Sequence, residues 1–374
     1  MIILLVIIGL SILILGHEAG HFLAAKKFGL KVDEFGFGFP PRIFAWRPKA
    51  KKNGTLRPGL RLSSAENPQG EQARSETEYS INWLPFGGFV KIAGENDRIS
   101  GETEKLSSLP EEEKKRIFLF QPAWKRSVII LAGVTVNFIL GWILFSAVLM
   151  IGTPKALIIT EVQKGSPAEE AGIKANDIVK NFVDSETFIN FVNSNRGKEI
   201  GLTVLREGEE VSFKAVPRVK TGENEGALGV GLQAAGADKE GFFSAVVLGF
   251  KQTVFVTEAT FKGFYQIVLG IISSGKISSD VAGPVGIFSI ANQISKIGLA
   301  YLINLVALIS INLAVINLIP FPALDGGRFF MILIEKVKGS PVPVKAEAII
   351  NGVGFALLLA LMAVVTVRDV MKLF

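Results

Sequence analysis

Residues 128–151 run for 24 positions without a charged side chain. A run that long and apolar has one stable home, a helix across a bilayer, because backbone in lipid must satisfy its own hydrogen bonds. Three more runs read the same way. Residues 1–16 have Ser11 as their only polar side chain, and the helical pattern continues through Ala24-Ala25 to Lys26-Lys27. This run has neither the basic start nor the small-residue cleavage site of a signal peptide. The others are residues 302–319, ended by Pro320, and residues 351–367. The expectation is about four transmembrane helices. Residues 242–256 and 264–273 are apolar but short or interrupted, as by Lys251, and are expected on the membrane surface or re-entering it.

Composition agrees with a membrane protein that keeps a substantial watery part: 49% of residues are hydrophobic, mean hydropathy is +0.42, yet 20% are charged. The absence of cysteine excludes a disulfide framework, a thiolate metal site and a cysteine nucleophile. A net charge of +6 in a multi-span chain reports topology and lipid contact rather than nucleic acid. Residues 26–127 carry 19 Lys and Arg against 13 Asp and Glu, whereas residues 153–300 carry 15 against 16. With Lys336, Lys338 and Lys345 in the short last loop, this puts 26–127 in the cytoplasm and 153–300 outside; Arg368 and Lys372 point weakly the other way.

The polar segments differ in kind. Residues 29–127 open on Phe35-Gly36-Phe37-Gly38-Phe39-Pro40-Pro41, pass through a polar loop over 48–78, and then read as strand, turn and strand over 79–92. Residues 102–117 read as a charged surface helix. The aromatic patches suit packing at a membrane surface; the sharper reading is an extended strand with a free edge beside the membrane. Residues 153–220 look like a separate small α+β domain. Strands are expected over 156–162, 177–183, 201–206 and 210–216, with a turn and short helix over 165–173. The order resembles a bacterial PDZ domain, with Asn176 in place of the usual Gly and Asp184-Ser185-Glu186 in place of an Asn-Gly turn. PDZ domains hold peptides by adding a strand to a sheet edge; the alternative is a spacer or steric filter.

Only two histidines exist in the chain, His17 and His21, and they form H-E-x-x-H with Glu18. Positions i and i+4 lie about 40° apart around a helix, so both imidazoles reach one ion. Glu18, about 100° round from His17, is placed to hold a metal-bound water. Imidazole ligands and an open position favour zinc, one per chain, which brings a bound water's pKa toward about 7. The alternative is a His/Glu cluster satisfied by hydrogen bonds alone. Two histidines leave a catalytic zinc one protein ligand short, and without cysteine the third must be Asp or Glu. Asp325 stands out, in Asn317-Leu318-Ile319-Pro320-Phe321-Pro322-Ala323-Leu324-Asp325-Gly326-Gly327. The prolines break the third span, and broken backbone at membrane depth survives only against protein or water. At about 1.5 Å per residue, His17 lies roughly 13 Å and His21 roughly 7 Å inward from Lys26, so Asp325 arrives at the same leaflet if the third span enters from outside. The alternative is that Asp325 marks a helix end at the interface.

These motifs in this order resemble the site-2 protease family of intramembrane zinc metalloproteases, of the bacterial RseP type, over nearly the whole chain. The resemblance implies zinc held by His17, His21 and Asp325, with Glu18 as catalytic acid and base. It also implies substrate contacts from Asn317, Pro320 and Pro322, and from Gly87, Gly88 and Phe89 in a membrane-associated β-region that keeps substrate extended. Gly283-Pro284-Val285-Gly286-Ile287 resembles a family segment before span three, or is a structural turn. One PDZ-like domain stands where some relatives have two, and Ala132-Gly133-Val134 replaces a common Ala-Gly-Pro, with Asn137 still following.

The expected organisation is a span over 1–28, a cytoplasmic-side β-region and loop over 29–127, and a span over 128–152. Then follow the PDZ-like domain over 153–220, surface or re-entrant segments over 221–301, a span over 302–333, a loop over 334–350 and a span over 351–368. The family implies a multi-pass protein of the bacterial inner membrane that cuts single-span membrane proteins after a first cleavage, with anti-sigma factors or signal-peptide remnants as substrates. Peptide termini are the expected partners of the PDZ-like domain, the bilayer surrounds the spans, and no nucleic acid is involved. Rhomboid-type and presenilin-type proteases need motifs that are missing, and metal transporters need more polar groups along the path. A rival from another class is a non-catalytic membrane scaffold whose PDZ-like domain tethers partners.

Overall fold

The computed structural model describes residues 2–48, 60–61, 77–95, 108–206, 209–222, 225–274, 283–295 and 297–371. Most of the polar loop over 48–78 and residues 102–107 of the expected helix over 102–117 therefore fall outside the described residues. Of that helix a single turn, Glu111–Lys114, is described. The chain divides into two compact units. One comprises Met1–Leu144, Phe250–Phe288 and Leu305–Phe374; the other comprises Phe145–Gly249 and Ser289–Asn304.

The first unit is built on α1 (Ile2–Lys27) and on most of α3 (Ala123–Ile151; α2 is Glu111–Lys114) and α8 (Leu299–Leu318). Small residues let these helices approach closely. A Cβ on Gly20 would fall 2.6 Å from the Ala132 carbonyl oxygen, and one on Gly141 would fall 2.3 Å from Ile311. Without a hydrophobic drive between helices in lipid, such close backbone contact is the main source of cohesion. The contacts also give direction. Gly16 meets Leu140 and Gly20 meets Ala132, so α3 runs opposite to α1. Gly9 meets Val306 near the start of α8, and Asp325, beyond its end, meets His17. Helix α8 therefore runs with α1.

Five described helices are long and apolar enough to cross a membrane, where four were expected: Leu4–Lys27, Ala123–Ile151, Phe242–Gly270, Leu299–Leu318 and Lys345–Met371. The fifth arises because the two short stretches read from residues 242–273 are one helix, α6 (Phe242–Ser274). Lys251 and Lys262 interrupt the apolar pattern but not the backbone. Within the first unit Phe250 of α6 packs edge-on to Trp142, and Thr260 donates to Asn312 of α8 at 2.7 Å. Past α8 the chain turns at Pro320–Pro322, Ala323 adopts a left-handed φ of 71°, and α9 (Asp325–Lys338) begins. The last helix is α10 (Val344–Met371). Its Asp369 accepts hydrogen bonds from the Gly283 and Gly286 amides at 2.8 Å, which closes the start of α7 (Pro284–Ser295). That contact gives the Gly283–Gly286 segment a structural role.

A curled sheet packs on α1. Strands β1 (Val32–Trp46), β2 (Leu60–Arg61) and β3 (Glu78–Ile92) take the order β2-β1-β3. Phe35, Gly36 and Phe37 each have two partners: Val90, Phe89 and Gly88 on one side, Tyr79, Ser80 and Ile81 on the other. The two halves of β3 thus flank the first half of β1, and residues 87–92 form the outer edge. Glu34 fastens the curl by accepting from Ser80 at 2.7 Å, Arg42 at 2.7 Å and Lys91 at 2.9 Å.

The second unit holds a five-stranded antiparallel sheet of order β7-β6-β5-β4-β8, built from β4 (Thr153–Val162), β5 (Ile178–Val179), β6 (Ile200–Arg206), β7 (Glu209–Ala215) and β8 (Val230–Ala237). Its core includes the buried Leu157, Ile159, Phe188, Leu202 and Leu228. Helix α4 (Pro167–Glu170) is capped by Ser166, and α5 (Ser185–Ser194) by Asp184, whose carboxylate accepts from the Thr187 amide. The strand expected over 177–183 is shorter because Asn181 turns left-handed, with φ 68°. The Asp184-Ser185-Glu186 segment opens a helix because it carries an N-cap residue. Strand β8 lies beyond residue 220, where the sequence reading ended the domain, since its Gly- and Ala-rich stretch carries little strand signal.

Candidate metal centre

H-E-x-x-H lies in the last turns of α1, and both histidines face α3. The His17 and His21 rings meet edge to face with centroids 4.8 Å apart. Their Nε2 atoms are 3.2 Å apart. Asp325 Oδ2 completes the triangle, 3.0 Å from His17 Nε2 and 3.2 Å from His21 Nε2. Both histidines are 8% exposed. The packing leaves no slack around them: a Cβ on Gly133 would fall 2.5 Å from His21 Nε2 and 2.8 Å from His17 Cε1.

The far side of each ring sets what its Nε2 offers. His21 Nδ1 donates to the Ile129 carbonyl at 2.9 Å, which leaves Nε2 of the neutral ring as a lone pair. The Asn137 amide lies 3.4 Å from His17 Nδ1; turned with Oδ1 inward, it accepts the Nδ1 proton, and Oδ1 has no other partner among the described residues. Asn137 is 1% exposed, and its carbonyl accepts from Ser310 of α8 at 2.7 Å. With Asn137 so turned, two lone pairs and a carboxylate oxygen converge on one point, which is repulsive unless a metal ion or a proton lies between them. Asp325 Oδ2 is buried and accepts no hydrogen bond among the described residues. The triangle also has the right size. A tetrahedral ion with ligands at about 2.0–2.1 Å needs ligand atoms about 3.3 Å apart. Within the described residues His17, His21 and Asp325 form the one cluster able to hold a metal ion.

Glu18 is half-buried and turned toward β3, where a Cβ on Gly88 would sit 3.8 Å from its Cγ and 3.5 Å from Leu15. Gly87, with φ 87°, lies against Ile14, and Gly87 and Gly88 are buried against α1. Phe89 stacks over Gly36 and lies under the Lys91 ammonium, 5.2 Å from ring centroid to Nζ. Of these residues Gly88 comes to Glu18 of the H-E-x-x-H turn, Gly87 lies one turn earlier at Ile14, and Phe89 lies on β1 at Gly36. Pro322 packs on Gly354 of α10, and Asn351 accepts from the Ala323 amide at 3.2 Å, so both help hold the break before Asp325. Asn317 is half-buried in the last turn of α8, and Pro320 is exposed.

Sequence reasoning gave no role to Asn137, Gly133 or the Ile129 carbonyl. Asn137 did carry a signal, as an amide in the middle of a charge-free span, where polar groups need a purpose. It also missed Glu95 and Arg328, which pair at 2.6 Å. Burial pushes the Glu95 carboxyl above its ordinary range, and the Arg328 charge pulls it part of the way back.

Membrane-crossing helices that turn a His-Glu-His face toward an aspartate on a broken neighbouring helix define a membrane metallopeptidase. The chain belongs to Peptidase family M50, which it matches over residues 5–56 and 69–361. It is similar along its length to the zinc metalloprotease RasP of Geobacillus kaustophilus, with 30% identity over 97% of this chain and 96% of that one. It is 28% identical to the regulator of sigma-W protease RasP of Bacillus subtilis, over 97% and 96% of the two chains. The zinc metalloprotease RasP of Oceanobacillus iheyensis is likewise 28% identical, over 97% of each.

Proposed function

We propose that the chain is an intramembrane zinc metalloprotease that hydrolyses peptide bonds within transmembrane segments. The observation that carries this reading is the triangle of His17 Nε2, His21 Nε2 and Asp325 Oδ2, with edges of 3.0 to 3.2 Å, beside Glu18 and an open strand edge. In this reading His17, His21 and Asp325 hold one zinc ion. When bound, zinc supplies Lewis-acid polarisation of the scissile carbonyl and a water acidic enough to deprotonate near pH 7. Glu18 takes the proton of the attacking water on its carboxylate and returns it to the leaving amine.

A transmembrane substrate hides its peptide groups in its own helix and must be unwound before attack. The outer edge of β3, at residues 87–90, offers backbone groups to an added strand beside Glu18. Asn317, Pro320 and Pro322 would contact the same segment from the other side of the site. In this reading the chain is a multi-pass protein of the bacterial inner membrane, and the charge pattern supports a site toward the cytoplasmic leaflet with residues 153–220 outside. Those residues, as a PDZ-like domain, would take peptide termini or exclude bulky uncut proteins, so that cleavage follows a first cut. Single-span substrates such as anti-sigma factors fit this role, and a relative is named as a regulator of sigma-W.

The test pairs two measurements. Purified wild type should hold about one zinc per chain, and His21→Ala should lose it. Wild type should cleave a model single-span substrate, and Glu18→Gln should lose about 10²–10⁴-fold in rate while keeping its zinc. Normal cleavage by Glu18→Gln would overturn the reading and favour a scaffold.

A further inference from the structure

The turn after β3 reaches the helix that begins at Asp325. Glu95 lies three residues past Ile92, the end of β3, and its amide donates back to the Ile92 carbonyl at 3.1 Å. Its carboxylate takes the Arg328 guanidinium at 2.6 Å, with side-chain exposures of 13% and 33%. Arg328 lies one helical turn beyond Asp325. On the opposite side that turn has no room to move: a Cβ on Gly326 or Gly327 would fall 2.2 Å from the Ile319 or Phe321 carbonyl oxygen. A cleft lined among others by Glu95, Phe118, Arg126, Arg328 and Glu335 borders α9 here. Two ion pairs bridge it: Glu95–Arg328 at the Asp325 end, and Arg126–Glu335 at 2.9 Å, ten residues beyond Asp325.

We propose that the Glu95–Arg328 ion pair is a positioning device that registers Asp325 against strand β3, so that a substrate strand docked on β3 and the ligand carboxylate are held in one frame. The inference rests on the protease reading above. The end of β3 and its turn are braced as one unit, because the Ala93 amide donates to the Lys31 carbonyl and the Ala93 carbonyl accepts from the Phe118 amide. This pair is a charged link from that turn to the first turn of α9. Its partners belong to neither the metal triangle nor the strand edge, so both act through others.

The test compares Glu95→Gln, Arg328→Gln and the reversed pair Glu95→Arg with Arg328→Glu, and uses Glu335→Gln as the control at the far end of α9. Each single variant should lower kcat by about tenfold to a hundredfold with KM within about twofold, since misplacement by about 1 Å is that costly. Each should also lose zinc to a chelator several-fold faster, a readout independent of cleavage. Reversal should restore most of both, and Glu335→Gln, which also breaks a buried pair, should lower thermal stability while kcat and zinc retention stay within about twofold of wild type. Single variants with wild-type kcat and zinc retention would overturn the inference, as would a Glu335→Gln variant equally impaired. In either case the zinc and cleavage of wild type leave the protease reading standing. A wild type without zinc would remove both.

Discussion

Asp177 and Asp325, one in each unit, both bury carboxylate oxygen, and they are treated in opposite ways. Asp177 is 1% exposed and fully partnered: Arg206 donates to it from Nε at 2.8 Å and Nη2 at 2.7 Å, and the Lys174 amide at 2.9 Å. Asp325 Oδ2 accepts no hydrogen bond and faces two imidazole nitrogens. A carboxylate with every lone pair answered holds a fold together. One kept short of donors, against other acceptors, is poised for a cation.

Exchanging each acid for its amide should split the two roles, with the largest effects expected. Asp325→Asn should lose zinc by more than the 10–100-fold typical of an outer partner. Cleavage should fall with it, while the apoprotein's thermal stability should hold or rise. Asp177→Asn should leave zinc content unchanged and destabilise the second unit by about 3 kcal/mol, because Arg206 loses its counter-charge. Zinc titration and thermal unfolding of both variants check this. Loss of zinc in Asp177→Asn, or simple unfolding of Asp325→Asn, would erase the distinction.

Glycine substitution sharpens it further. Gly133→Ala places a methyl 2.5 Å from His21 Nε2, so zinc should be lost at least tenfold more readily. Gly201→Ala, in β6 of the second unit, meets nothing within 4 Å and should change the unfolding midpoint by less than about 0.5 kcal/mol equivalent. Asn137→Ala should follow, with a 10–100-fold loss of zinc affinity from freeing the His17 ring. Asn137→Asp, which keeps an acceptor for Nδ1, should recover most of that loss in the same chelator competition.

The residues of the candidate metal cluster were legible because their chemistry is rare in the chain: two histidines at i and i+4, no cysteine, and one aspartate at a proline-broken span. What tightens the site was not legible. Gly133 and the Ile129 carbonyl act through a helix crossing, and nothing local says which face of α3 meets α1. Glu95 and Arg328 are 233 positions apart. The continuity of α6 was hidden because lysines interrupt an apolar pattern without breaking a helix. Strand β8 was hidden because Gly and Ala carry no two-residue alternation.

The smallest effect concerns Glu34, the counterpart of Asp177 within the first unit. Burial alone would raise this carboxyl, but hydrogen bonds from Ser80 and Lys91 and the charges of Lys91 and Arg42 hold it below its ordinary value of 4.5. A group whose folded pKa is depressed adds stability above its unfolded pKa and gives it up as pH falls through the folded one. The curled sheet should therefore weaken only below about pH 4.5, with that slope absent in Glu34→Gln. Emission of Trp46, which packs on Tyr79 with ring centroids 5.5 Å apart in the same sheet, is the readout. Equal acid sensitivity in the two proteins would show that Glu34 is not the group that fastens the curl. The contrast between satisfied and unsatisfied carboxylates would then rest on Asp177 and Asp325 alone.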